Sequence, residues 1–111
     1  MIKLLIFLLP YGATLHFNWT APTLNVDGTQ LTNLAGYRLY ESVDASPPRV
    51  IIGISKLLTG VSYKPTIAGS HVFYLTAINT KRAASKPSNT VSVTIDFFIP
   101  PLPQPSRTPR L

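Results

Sequence analysis

The chain has no cysteine in its 111 residues, so neither a disulfide nor a thiolate metal site can brace it. Acids are almost as scarce: Asp27, Glu41, Asp44 and Asp96 stand against ten lysines and arginines. Paired carboxylates for acid–base chemistry would have to come from Glu41 and Asp44. These flank a loop with nothing else catalytic nearby in sequence, so both are expected at the surface. The two histidines, His16 and His71, fall on different strands without metal-ligand spacing, which argues against a zinc site. Asn25 and Asp27 before Gly28 have the start of a calcium loop, but its later ligands and closing glutamate are missing. A glycine-rich phosphate loop and a nucleophile elbow are both lacking. No catalytic residue, metal or other cofactor is therefore expected. No helical period runs anywhere, and no apolar run reaches the roughly 20 residues that a bilayer span needs.

What the chain does have is alternation. In residues 70–79, His71, Phe73, Leu75 and Ala77 share one face, and Val72, Tyr74, Thr76 and Ile78 share the other. This period of two predicts a packed strand, with His71 inward as a core or corner residue. After a polar break at residues 79–88, Val91, Val93 and Ile95 resume the pattern. Upstream, Leu15, Phe17 and Trp19 point inward, while His16 and Asn18 point out. Trp19 is the single tryptophan and is expected to contribute most to the core. Residues 25–36 form a loop with an Asp27-Gly28 turn signal. Strands are predicted at 36–41, 49–54 and 60–64, and Pro47-Pro48 and Pro65 break the pattern after the first and last of these. Residues 2–9 supply a further strand, bringing the set to seven. Short strands between turn signals indicate an all-β, antiparallel, immunoglobulin-like sandwich with extended termini.

The domain plan is an apolar segment at 1–13, the sandwich at 14–96 and a proline-rich arm at 97–111. The first segment has two readings, a strand and a cleaved signal peptide. The strand is preferred, because Lys3 is a thin n-region and a cut after Ala13 would put Tyr11 where a small residue belongs. Leu4 to Leu9 are apolar on both faces, more than an edge strand needs, which points to cover from outside the domain. The last 15 residues hold five of the eleven prolines and are expected to be extended, without a fold of their own.

Four blocks carry a family resemblance. They are Asn18-Trp19-Thr20-Ala21-Pro22, the run from Asp27 through Gly36-Tyr37-Arg38-Leu39-Tyr40, then Leu75-Thr76-Ala77-Ile78-Asn79, and Lys86-Pro87-Ser88-Asn89. In this order and spacing they resemble a fibronectin type III domain of the kind found in bacterial and bacteriophage proteins, over roughly residues 14–95. The resemblance implies seven strands in two antiparallel sheets. Two positions depart from it. His71 stands where the family usually has a tyrosine near the sheet-to-sheet corner, and Arg82-Ala83-Ala84 replaces the usual glycine or acidic residue of the last turn. No Arg-Gly-Asp motif is present.

The formal charge of +6 favours anionic partners, yet the cations form no run and no helix face, so no specific nucleic-acid binding is expected. Asn18-Trp19-Thr20 is formally a glycosylation sequon, but it lies in a strand beside the core tryptophan and is read as accidental. Tyr40, Val72, Tyr74 and Ile78 are expected on the outer face of one sheet as a docking patch. Leu5, Phe7 and Leu9 of the first segment, and Phe97, Phe98, Ile99 and Leu102 of the last, are the candidate anchors of assembly arms. The chain is expected to start at its own methionine, with no attached catalytic domain. The expectation is a non-enzymatic structural or interaction protein of a phage virion, as a capsid decoration, minor capsid or tail-associated subunit. Its partners would be other protein subunits. The alternative is a secreted adhesion or glycan-binding module, with Tyr11, Tyr40 and Tyr74 as stacking residues.

Overall fold

The computed structural model describes residues 2–8, 14–25 and 27–96, the side chains of Phe7 and Leu8 excepted. Seven strands follow in order: β1 (Leu4–Leu8), β2 (Leu15–Trp19), β3 (Leu34–Val43), β4 (Arg49–Ser55), β5 (Gly60–Tyr63), β6 (Gly69–Asn79) and β7 (Val91–Ile95). They form two antiparallel sheets, one in the order β1-β2-β5 and one in the order β4-β3-β6-β7. Each strand of β2 and β6 reads as the alternation requires, with Leu15, Phe17 and Trp19 facing Tyr37, Leu39, Phe73 and Leu75 across the layer. The rings interlock edge to face: Phe17 lies 4.8 Å from Phe73, and Trp19 lies 5.1 Å from Tyr37. Tyr37 is held above its ordinary pKa chiefly by that burial.

β1 is a working strand of the sandwich. It pairs with β2 over Leu4↔Trp19 to Leu8↔Leu15, and Ile2 and Leu4 are core residues. Its edge, which no other described strand pairs, is held at one point by a side chain from the connection that leads into β7. The Leu4 N–H donates to Asn89 Oδ1 at 2.8 Å, and Asn89 Nδ2 donates to the Leu4 carbonyl at 3.0 Å. The amide of Asn89 thus stands where a further strand would pair and blunts that edge. Leu5 points to the outer face and is 47% exposed; Leu9 lies outside the described residues.

Two irregularities shape the second sheet. Register slips by one between Leu39 and Tyr40, leaving Ile51 of β4 unmatched. It slips again beside Gly36, where a Cβ would meet the Ile54 carbonyl oxygen at 2.5 Å. Only glycine lets the two backbones approach so closely there. The β6–β7 connection is also tightly held. Ser85 and Ser88 lie along β6, their hydroxyls accepting from the amides of Ala77 and Leu75, both at 2.9 Å. Their own amides donate to the Ala77 and Leu75 carbonyls, so residues 85–88 act as a loosely paired extension of the ladder.

Candidate functional site

The chemistry-bearing side chains divide between an interior pair and an outer face. Glu41 continues the inward phase of Tyr37 and Leu39 on β3, and His71 opens the inward phase of Phe73 and Leu75 on β6. Both are only 1% exposed, and Glu41 Oε2 lies 2.6 Å from His71 Nδ1. This corrects the expectation of a surface Glu41, and it parts Glu41 from Asp44, which is exposed in the next turn. The opposite histidine nitrogen, Nε2, donates to the Ile67 carbonyl at 2.7 Å. A carbonyl can only accept, so Nε2 carries a proton, and Nδ1 and the Glu41 carboxyl share another. The second carboxylate oxygen accepts from the Tyr63 hydroxyl at 3.2 Å and, weakly, from exposed Arg49 at 3.4 Å. Burial above all, then the Glu41 charge, raises the Tyr63 pKa.

His71 therefore does the corner work that the expected tyrosine would do. It ties the start of β6 back to the chain four residues upstream, which is the bond a corner tyrosine makes through its hydroxyl. The price of an imidazole there is a polar Nδ1 inside the sandwich, and Glu41 answers it. Both side chains are buried and every polar side-chain atom of the pair is engaged, so the pair ties β3 to the start of β6. Asp44 closes the same end from outside. Its Oδ1 accepts from the Ser70 amide at 2.9 Å, beside Gly69 at φ 138.

The outer face of the four-stranded sheet carries the second feature. Tyr40 and Tyr74 are directly opposite in the ladder, and their rings stack at 4.7 Å and 9°. Burial, then the neighbouring Tyr40, raises the Tyr74 pKa. Val72 continues the row on β6, and Val50, 48% exposed, flanks Tyr40 on β4. Ile78 is not part of this patch: it is 9% exposed and covered through its bridge to Ala84. A β-strand places residues of equal parity on one face, but a returning loop can bury the end of the row. Of the remaining anchors, Phe7 lies opposite His16 in β1, with no side-chain description. Phe97, Phe98, Ile99 and Leu102 lie outside the described residues. Among the described residues no three His, Asp or Glu side chains come together as a metal site. Asp27 Oδ1 is instead engaged by Thr29, at 2.6 Å from its hydroxyl and 3.0 Å from its amide.

A three-stranded and a four-stranded sheet in this order, locked by a corner residue on β6, decide the architecture. This is the fibronectin type III fold. The solution structure of a fibronectin type III domain from the human KIAA0970 protein matches it with a TM-score of 0.62 at 18% identity. That match covers 99% of this chain and 83% of the other. Two larger proteins also match. Pectate lyase PelI from Erwinia chrysanthemi, in complex with tetragalacturonic acid, aligns at TM-score 0.61 and 14% identity over 83% of this chain. A β-1,2-glucanase from Parabacteroides distasonis aligns at 0.59 and 15% over 89%. The chain spans only 28% of the lyase and 13% of the glucanase. No family model and no curated protein matches the sequence. Identities this low establish the fold alone.

Proposed function

We propose that this fibronectin type III module is a non-enzymatic interaction protein that docks into a larger protein assembly through the outer face of its four-stranded sheet. The stacked Tyr40–Tyr74 pair carries the reading. Flanked by Val72 and Val50, it offers rigid aromatic surface with little conformational entropy left to lose on binding. The burial of Glu41 and His71 supports it too, since the groups best suited to proton transfer are committed to holding the fold. The assembly we favour is a bacteriophage virion, on the likeness of the sequence blocks to bacterial and phage modules. Leu5, Phe7, Leu9, Phe97, Phe98, Ile99 and Leu102 are its proposed further anchors.

A second reading has a specific observation behind it. Two structural neighbours are enzymes of polysaccharide chemistry that match this chain over a minor part of their length. The module would then be a secreted glycan-binding attachment, with the tyrosine pair meeting sugar rings. Particle fractionation from the native source, with intact-mass analysis, separates the two. Co-sedimentation with virions, lost in a Tyr40→Ser/Tyr74→Ser variant of unchanged thermal midpoint, supports assembly. A free exported chain that binds oligogalacturonate or β-1,2-glucan through the same tyrosines replaces the assembly reading with the second.

A further inference from the structure

Strand polarity gathers four segments at one end of the sandwich: residues 2–3, the 20–33 loop, the β4–β5 turn and the β6–β7 connection. The 20–33 loop is itself a small hairpin, with Leu24 bridged to Gln30 and the Asn25 amide donating to the Thr29 carbonyl at 2.7 Å. Between this hairpin and residues 85–86 runs a groove of about 430 Å³, walled by Ile2, Pro22, Leu24, Ser85 and Lys86. Pro22, Leu24 and Ser85 also border an adjoining hollow of about 170 Å³ under Ala83 and Ala84. The walls are largely aliphatic, and Leu24 is 59% exposed within them.

This end carries more cations than acids: Lys86 lines the groove, and Lys3, Lys81 and Arg82 lie in segments that converge here. The one acid at this end, Asp27, stays ionised, since Thr29 holds its carboxyl below the usual range, and its single charge is outnumbered by these four cations. The remaining acids, Glu41, Asp44 and Asp96, belong to the opposite end or the interior. Among the described residues no aromatic ring lines either hollow, so bases and sugar faces find no stacking platform there.

We infer that this groove binds an acidic peptide segment carrying an aliphatic side chain. The aliphatic group covers Leu24, Pro22 and Ile2, and the flanking carboxylates face Lys86, Lys3 and Arg82. Charge complementarity selects the occupant. A neutral apolar peptide leaves the rim cations unanswered, and a polyanion without an aliphatic group leaves Leu24 in water. Rim charges of this kind act on encounter and salt dependence, while the apolar contact acts on residence. The site is separate from the tyrosine face, and neither depends on the other.

The test titrates the full chain into a fluorescein-labelled peptide of alternating glutamate and leucine, followed by anisotropy. Leu24 and Lys86 are surface residues, so Leu24→Ser and Lys86→Glu leave the thermal midpoint in place. Lys86→Glu is expected to weaken binding about tenfold at low salt, and this difference shrinks by 0.5 M salt, where screening acts within about 4 Å. Leu24→Ser is expected to weaken it about threefold to tenfold at every salt concentration. Equal binding by wild type and both variants overturns the proposal. So does polyglutamate without leucine binding as tightly as the mixed peptide. A heparin fragment or single-stranded DNA that binds more tightly and is indifferent to Leu24→Ser would also overturn it, assigning the end to a different class of polyanion.

Discussion

The two ends of this sandwich handle polar groups in opposite ways. At the corner end, Glu41, His71, Tyr63 and Asp44 turn their polar atoms toward the protein itself, and little is left over for a partner. At the loop end, Lys86 lines an open groove with largely aliphatic walls, and Lys3, Lys81 and Arg82 lie in segments that converge on the same end. The difference teaches where each residue type earns its place. Polar groups inside a low-dielectric layer must be satisfied by neighbours or they destabilise the fold, whereas the same groups in water are available for recognition. Substitutions at the first end should therefore be read in stability, and those at the second in binding.

The sharpest way to break this contrast is His71→Ala, which strands the Glu41 carboxyl in the core. A loss of about 3–5 kcal/mol is expected by urea denaturation, the usual cost of breaking a buried pair by removing one partner. Replacing both residues with apolar ones of similar volume, Glu41→Leu with His71→Phe, should recover most of it. If the single variant costs less than about 1 kcal/mol, the pair is not the structural lock described here. Asn89→Ala comes next. It frees the Leu4 amide and carbonyl at the β1 edge and should cost about 1–3 kcal/mol, with faster hydrogen exchange at Leu4 and a greater tendency to aggregate.

Smaller effects sharpen the picture. Asp44 and Ala45 both adopt positive φ, at 50° and 62°, in the turn closed by the Ser46 amide on the Val43 carbonyl. Ala45→Gly removes a left-handed alanine and should stabilise the protein by about 0.4–1 kcal/mol at the urea midpoint. In the alkaline range the corner end should weaken. Tyr63 keeps its proton to a higher pH when folded than when unfolded, so its contribution is whole below about pH 10 and is lost as pH rises through the raised folded value. Urea midpoints compared at neutral and alkaline pH should show a smaller alkaline loss in Tyr63→Phe than in wild type. The slightest effect belongs to Asp27, whose carboxyl is held below 3.8 by Thr29. Its contribution is present above that value and fades as pH falls, so Asp27→Asn should flatten a small acid-side decline in stability.

Much of the fold could be read along the chain, because a strand's side chains alternate and its packed face must be apolar. Leu15-Phe17-Trp19 and Phe73-Leu75-Ala77 announce both their strands and their inward faces. The seven-strand count and the fibronectin type III resemblance follow the same alternation. The Glu41–His71 lock was less legible, although the signal was there: Glu41 lies in phase with Tyr37 and Leu39, and continuing that parity puts it inside. Residue type argued for the surface, and position outweighed it. Ile78 failed in the opposite sense, since its parity is outward but the 83–88 connection folds back over it.

The sequence by itself determined the alternating inward faces of β2 and β6, how many strands form and where most of the turns fall. These depend on local periodicity, backbone sterics and the absence of helical pattern. Only the tertiary structure decided that a histidine would do a tyrosine's corner work, since its partners sit 4 and 30 residues away. The same holds for the Asn89 amide guarding the β1 edge from 85 residues away, and for a cationic groove assembled from three separate segments. Contacts between residues distant in sequence are set by which strands become neighbours, and no local pattern encodes that.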